Sequence, residues 1–226
     1  MKILSIDTST SAGGIVLCED DQVLAEINTH SEITHSARLL AGVDYVLKST
    51  GTGLPSLDAI AAVCGPGSFT GLRIGIATVK ALSQTLSRPV LSVTAFEAWV
   101  EKFSACNGVV APMIDARRGE VYLNLFKRNG AKVEEIGPAA VDQPVRLLRR
   151  ISYPKVLFIG DGAVKYRELI LQVNGDWQVQ GSDCFLGRAT ARLAFRLALE
   201  QRFTDAASLA AYYLRKSDAE LNWKGA

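Results

Sequence analysis

Histidine is nearly absent from this sequence: His30 and His35 are the two histidines among 226 residues. Five positions apart, they would stand roughly 140° from one another on a helix, which gives no pair suited to sharing a metal ion. With so few histidines, no serine or cysteine nucleophile can be assigned a neighbouring base, so a triad-type hydrolase is not indicated. The four cysteines, Cys18, Cys64, Cys106 and Cys184, show no CxxC spacing and lie mostly in apolar surroundings. They read as reduced, buried thiols of a cytosolic protein. No apolar run approaches the roughly 20 residues of a membrane helix. The opening MKILSID reads as a strand and not as a basic, then apolar leader, so neither export nor membrane insertion is expected. Excess charge is lacking too. A net charge of +2 argues neither for nor against nucleic acid, and the nearest approach to a basic stripe, Arg146, Arg149, Arg150 and Lys155, reads as the solvated face of a short helix around Leu147 and Leu148. What is present, 48% hydrophobic and 21% charged residues, is ordinary for a globular protein with room for one large domain or two lobes.

Glycine is plentiful where it matters. From Cys64 the chain reads CGPGSFTGLRIGIATVKAL, with Gly65, Gly67 and Gly71 inside seven residues and Pro66 stiffening the loop between them. Ser68 and Thr70 are good helix N-caps ahead of the run Leu72, Ile76, Val79 and Leu82, so the segment reads as strand, glycine turn, helix. Such a helix start is a ready anion site. The competing reading is close packing, because Gly71, Gly75, Ala77, Thr78 and Ala81 form small-residue rows. The known phosphate motifs fail here. Walker A spacing is missed by one residue, and Thr70 stands where GxGxxG needs its last glycine. Packing is therefore the favoured reading.

The rest of the chain has the order of an internal repeat. Lys2 to Ile6 reads as a buried strand ending in Asp7, Thr8 and Ser9, followed by strands at 14–18 and 23–28. A helix capped by Thr34 or Ser36 carries Leu39, Leu40, Val43, Val46 and Leu47 and ends at Gly51. Strands follow at 59–64 and 88–93, with helices running to about Leu86 and over 95–103. The second half begins again with a strand at 109–114 ending in Asp115, a turn at 116–119, one strand over 120–127 and a third over 131–136. A strand at 155–159 leads into Gly160-Asp161-Gly162 and a helix over 163–171. A last helix, about 186–202, is expected to bury Leu193, Leu197 and Leu199. The fold class expected is α/β, with two mixed-sheet lobes flanked by helices and related as an internal duplication. The lobes span residues 1–104 and 105–226, face one another across a cleft, and leave the last segment free to return to the first lobe.

Two such lobes, each with an acid after its first strand, resemble the fold of actin, sugar kinases and heat-shock chaperone ATPases. Within that group, Ile6-Asp7-Thr8-Ser9, His35-Ser36, the run Gly65 to Gly75 and Tyr213-Leu214-Arg215 resemble the bacterial TsaB family of threonylcarbamoyladenosine biosynthesis. That resemblance implies an accessory, non-catalytic subunit acting with the paralogous TsaD, which transfers a threonylcarbamoyl group to an adenosine beside the anticodon of certain transfer RNAs, and with the small ATPase TsaE. Transfer RNA is then met through the complex, and the free chain is expected to pair with itself. Docking in the family runs through the first two helices, which places a partner interface at His35, Leu39, Val43 and Val46 on one and Gly71, Leu72, Gly75, Ile76 and Val79 on the other. Burial of those residues within the lobe is the competing reading. TsaD-like proteins hold a metal with paired histidines where Ala95 and Trp99 stand here, so neither a metal nor metallopeptidase activity is expected. The alternative is an ATP-dependent phosphotransferase or ATPase using Asp7, Thr8, Ser9 and Asp115 as its weak nucleotide-site candidates. No cofactor is expected on the isolated chain, and a nucleotide at a complex interface is left open. Arg117, Arg118 and Glu120 form either a charged turn or a contact with another subunit.

Overall fold

The structure is a computed structural model that describes residues 1–30, 35–181 and 183–215, with the side chains of residues 35–37 outside the description. The cap reading of Thr34 or Ser36, the side chain of His35 and the tail beyond residue 215 lie outside it. Two compact units divide the chain: residues 1–102 with 184–212, and residues 103–183 with the segment from Tyr213 onward. The sequence reading gave 105–226 to a second lobe, whereas residues 184–212 pack with the first unit.

In the first unit, β1 (Lys2–Asp7), β2 (Ala12–Glu19), β3 (Gln22–His30), β4 (Ala59–Val63) and β5 (Val90–Val93) form a sheet ordered β3-β2-β1-β4-β5. The first two pairings are antiparallel and the last two parallel, with Ile6 between Ile15 and Ala62. Strand alternation sends Leu4 and Ile6 to one face and Ile3 and Ser5 to the other. The first face meets α1 (His35–Ser49) and α2 (Phe69–Leu86) in a core that includes Leu39, Val43, Val46, Leu72, Ile76 and Val79. Each large side chain fully buried there contributes on the order of 1.5–3 kcal/mol. The second face meets α7 (Gly187–Leu199).

Helix α7 corrects the sequence reading. Ala191, Ala194 and Ala198 face the sheet, Leu193 and Leu197 are half-buried, and Leu199 is 63% exposed. Small residues win this face because the helix lies close: a Cβ on Gly187 would sit 2.7 Å from Val16 Cγ2. The helix is also clamped by charge, since buried Glu101 on α3 (Ala95–Lys102) accepts from Arg196 Nη2 at 2.6 Å and pairs with Arg192 at 3.5 Å. Helix α3 starts on a capping box: Thr94 Oγ1 accepts from Glu97 N at 3.1 Å, and Glu97 Oε2 accepts from Thr94 N at 2.8 Å.

The second unit repeats the plan. Strands β6 (Gly108–Asp115), β7 (Val121–Leu123), β10 (Ala140–Asp142), β11 (Leu157–Ile159) and β12 (Gln178–Gln180) are ordered β10-β7-β6-β11-β12. The pairings run antiparallel, antiparallel, parallel, parallel, as in the first unit. β8 (Phe126–Asn129) pairs with β6 and with β9 (Lys132–Glu135). The single strand expected over 120–127 is therefore broken into β7 and β8, although both keep one register on β6, as Met113↔Leu123 and Val110↔Phe126 show. The break falls opposite Pro112, which has no N–H to give the ladder. The helix expected over 163–171 is likewise two, α5 (Asp161–Lys165) and α6 (Arg167–Val173), parted at Tyr166 with φ −109° and ψ 24°. Helix α4 (Pro144–Leu148) buries Leu147 and Leu148 and leaves Arg146, Arg149 and Arg150 exposed, as expected.

Candidate functional site

The strand-end turn of the first unit is closed by its own chain. Asp7 is 1% exposed, and its Oδ1 accepts from Ser9 N at 2.8 Å, an Asx turn. Thr8 Oγ1 donates to Gly71 O at 2.7 Å, and Ser68 N donates to Ser9 O at 2.6 Å. The glycines of α2 and of the loop before it exist for this approach. A Cβ on Gly71 would stand 2.1 Å from Thr8 O, one on Gly75 2.2 Å from Thr8 Oγ1, and one on Gly67 2.2 Å from Ser9 O. Ser68 is the N-cap and accepts from Gly71 N at 3.2 Å, while Thr70 lies inside the helix. Gly65 adopts φ +117°, and its missing Cβ would lie 2.8 Å from the carbonyl of Tyr212, whose N–H donates to Cys64 O at 2.7 Å. The loop thus carries two close approaches, to the Thr8–Ser9 turn and to the backbone at Tyr212.

The second unit has the same turn with different supports. Asp115 Oδ1 accepts from Arg117 N at 3.0 Å, the counterpart of the Asp7 bond. A carboxylate of this chain fills the place beside the strand end: Asp161 Oδ1 accepts from Asp115 N at 3.1 Å and from Gly162 N at 2.9 Å. Burial pushes the Asp161 carboxyl above the usual carboxylate range. Lys165 Nζ lies 2.9 Å from Asp115 Oδ2, and that hydrogen bond raises the lysine pKa. Gly160, at φ +106°, and Gly162 let α5 come close, with Cβ positions 2.5 and 2.8 Å from Met113 O. Arg215 Nη1 donates to Ala116 O at 3.0 Å and Glu120 Oε2 at 3.1 Å, which gives the Tyr213-Leu214-Arg215 motif a local task. Arg117 and Arg118 have φ of 62° and 55°, conformations that cost a non-glycine residue on the order of 1–3 kcal/mol each.

The nucleotide-site candidates are thus placed in two turns, Asp7, Thr8 and Ser9 in the first unit and Asp115 in the second, each engaged in turn geometry. A cavity of ≈ 60 Å³ beside Asp7 is lined by Thr8, Gly13, Gly14, Arg38 and Gly42 among others, far below the roughly 300–1,000 Å³ of a small-molecule site. Among the described residues, no group of three or more histidine, cysteine or acidic side chains could hold a metal, and Ala95 and Trp99 are buried in α3. Burial raises the thiol pKa of Cys18 to about 11 and raises that of Cys64 as well. Neither is a poised nucleophile.

The proposed docking residues lie inward. Leu39, Val43, Val46, Leu72, Ile76 and Val79 belong to the core of the first unit, and Gly71 and Gly75 are buried against Thr8. Sequence periodicity identified the apolar stripe of each helix, and the sheet takes that stripe except for Leu40, which the spacing counts in it and which is 61% exposed. On the outward side Tyr45 of α1 is 63% exposed, and Ala77 and Ala81 of α2 are exposed. No described helix is long and apolar enough to cross a membrane.

The duplicated sheets with glycine-led helix starts define an α/β protein of the actin-like and sugar-kinase class. A polyphosphate/ATP-glucomannokinase from Arthrobacter sp. strain KM shares this fold at TM-score 0.51 and 10% identity, covering 88% of this chain and 99% of its own. YeaZ from Pseudomonas aeruginosa superposes at TM-score 0.80 with 29% identity over 94% of this chain and 99% of its own. The tRNA threonylcarbamoyladenosine biosynthesis protein TsaB of Bacillus subtilis is 33% identical over 99% of this chain and 98% of its own length. A family model described as TsaD, tRNA N6-adenosine threonylcarbamoyltransferase, matches residues 22–223. The chain belongs to this TsaD-related family, on the branch of the TsaB proteins.

Proposed function

We propose that this chain serves threonylcarbamoyl modification of the adenosine beside the anticodon in transfer RNA, as a non-catalytic cytoplasmic subunit. The observation that supports a non-catalytic subunit is the closure of both strand-end turns: Ser9 N and Arg117 N bond Asp7 and Asp115, and Asp115 N bonds Asp161, so these backbone donors are already taken. The catalytic step belongs to a TsaD-like partner of the same fold, with a TsaE-like ATPase completing the assembly. Docking uses the outward sides of α1 and α2 and not the buried stripe, with Leu40 and Tyr45, roughly 140° apart on α1, flanking the contact and Ala77 and Ala81 exposed on α2. An exposed aliphatic and an exposed aromatic side chain beside small residues suit a helix pair that another helix pair approaches closely. In the absence of its partner, the chain pairs with itself through the same face.

Replacing Leu40 and Tyr45 with aspartate tests this reading. Neither side chain is buried, so the fold should survive, while affinity for a TsaD homologue measured by calorimetry should fall by about 100-fold, the scale of losing interface anchors. Unchanged affinity would place docking elsewhere. Tight, magnesium-dependent ATP binding by the isolated chain, abolished in Asp7→Asn, would instead support the phosphotransferase reading.

A further inference from the structure

By connectivity, α4 is the second unit's counterpart of α1. Each joins the outer strand of the antiparallel side, β10 or β3, to the parallel strand beside the central one, β11 or β4. Each also gives its apolar residues to the core of its own unit, which for α4 means Leu147 and Leu148. The outward sides differ. Where α1 leaves Leu40 and Tyr45 exposed, residues 142–155 leave Arg146, Arg149, Arg150 and Lys155 exposed, and no leucine, isoleucine, valine or aromatic side chain of that segment is exposed.

The charge of the molecule is concentrated here. Those four cations face one acid in the segment, Asp142, a surplus of three positive charges, while the whole chain has a surplus of two. Asp142 is shared: Arg146 Nη1 lies 3.4 Å from its Oδ1 and Arg150 Nη2 lies 3.5 Å from its Oδ2, with the two arginine side chains 63% and 67% exposed. Arg149 follows Arg146 by three residues in backbone still helical at φ −66° and ψ −14°, so it stands beside Arg146 on the same side. Cations do suit the last turn of a helix. A helix of five residues gives that effect little to act on, and crowding like charges on one side works against it.

We propose that Arg146, Arg149, Arg150 and Lys155 form a surface that contacts RNA phosphates, holding the sugar-phosphate backbone of the transfer RNA that the assembly modifies. This rests on the functional reading above. Guanidinium is planar, weakly hydrated and able to hold a phosphate through two parallel N–H bonds. A protein partner would need an apolar anchor at the centre of its contact, which this segment does not offer. A phosphate backbone needs none, because each neutralised phosphate releases counterions. Contacts of this kind fix the position of the RNA without reading its bases.

The test uses the full chain assembled with a TsaD homologue and a TsaE homologue, and a labelled transfer RNA transcript titrated at several salt concentrations. Arg149→Gln with Arg150→Gln removes two charges and leaves Arg146 its contact with Asp142, while Arg149→Gln alone leaves both Asp142 contacts in place; thermal unfolding checks the fold. The control, Lys127→Gln with Lys132→Gln, removes two exposed charges from β8 and β9 in the same unit. The expected result is RNA affinity about tenfold weaker for the double arginine variant and about threefold weaker for the single one, with the slope of log K against log salt reduced by about 1–2 in the double variant. The control should change by less than about twofold. Wild-type affinity and slope in both arginine variants, or equal losses in the double variant and the control, would overturn the proposal and leave the accessory-subunit reading standing. Unchanged RNA affinity with weaker assembly on the partner homologues would overturn it too, by making this surface a protein contact. An assembly that modifies transfer RNA without this chain would overturn both readings.

Discussion

The two strand-end turns of this protein are built on one plan and finished in opposite ways. Asp7 and Asp115 each end a central strand and accept from the N–H two residues on. In the first unit that turn is sealed by packing: Gly67, Gly71 and Gly75 bring α2 against it, and Asp7, Thr8 and Ser9 are buried. In the second it is held by charge, through Asp161, Lys165 and Arg215, and its tip stays exposed with two arginines. The difference teaches that two copies of one turn can be held by different means, one by neighbouring backbone and the other by a carboxylate and its cations. The first is buried, and the second leaves an exposed tip with two arginines.

The sealed turn is the easier to break. Gly71→Leu would force a side chain into Thr8 O and is expected to cost about 3 kcal/mol or more, seen as a large fall in unfolding midpoint or loss of soluble protein. Survival of that variant at wild-type stability would mean the turn is not sealed by α2. Thr8→Val tests the hydrogen bond alone: with the 2.7 Å bond to Gly71 O removed, chemical denaturation should show a loss of about 1–2 kcal/mol. In the charge-held turn, Arg215→Met should cost about 1 kcal/mol, because its partners are partly solvated, and hydrogen exchange at Ala116 and Glu120 should quicken while the first unit is unchanged. Protection unchanged at both positions would show that the turn stands without Arg215.

Asp161→Asn should have the smallest effect, and its sign is the informative part. Asparagine Oδ1 can still accept from Asp115 N and Gly162 N. The wild-type carboxyl is raised by burial and, to a lesser degree, by Asp115, so the folded state keeps its proton to higher pH than the unfolded state. Its contribution therefore falls as pH climbs from the ordinary value of 3.8 through the raised folded value. Asp161→Asn should remove that fall, so that its stability relative to wild type improves with pH over this window. A relative stability that declines with pH, followed by denaturation across the acid range, would mean that the carboxylate is favoured in the fold.

Much of this was legible in the sequence. The alternation of β1 and the repeat of strand, acid and hairpin gave the two sheets, and the glycine spacing of the α2 start marked a close approach. What the glycines approach was not legible, because Thr8 is 63 residues from Gly71 and only the parallel β1–β4 pairing brings them together. Which neighbour covers the apolar stripe of α1 and α2 was not legible for a related reason. A stripe such as Leu72, Ile76 and Val79 looks the same whether a sheet or another subunit covers it. The face of α7 differs from its sequence expectation because large residues do not mark this core: close helix-to-sheet packing selects Ala191, Ala194 and Ala198 in place of the leucines. The break at Asn124 was foreseeable from Pro112, but only once β6 and β7–β8 were known to pair.

Reconstituted transfer RNA modification, with a TsaD homologue, a TsaE homologue and this chain in matched variants, tests the central claim most directly. The account predicts that Leu40→Asp with Tyr45→Asp reduces modification to the level seen without the chain, while Asp7→Asn with Asp115→Asn, which keeps an acceptor in each turn, leaves it near wild type. Full activity from the α1 variant together with loss of activity from the aspartate variant, at undiminished partner binding, would contradict it and make this chain a catalyst in its own right.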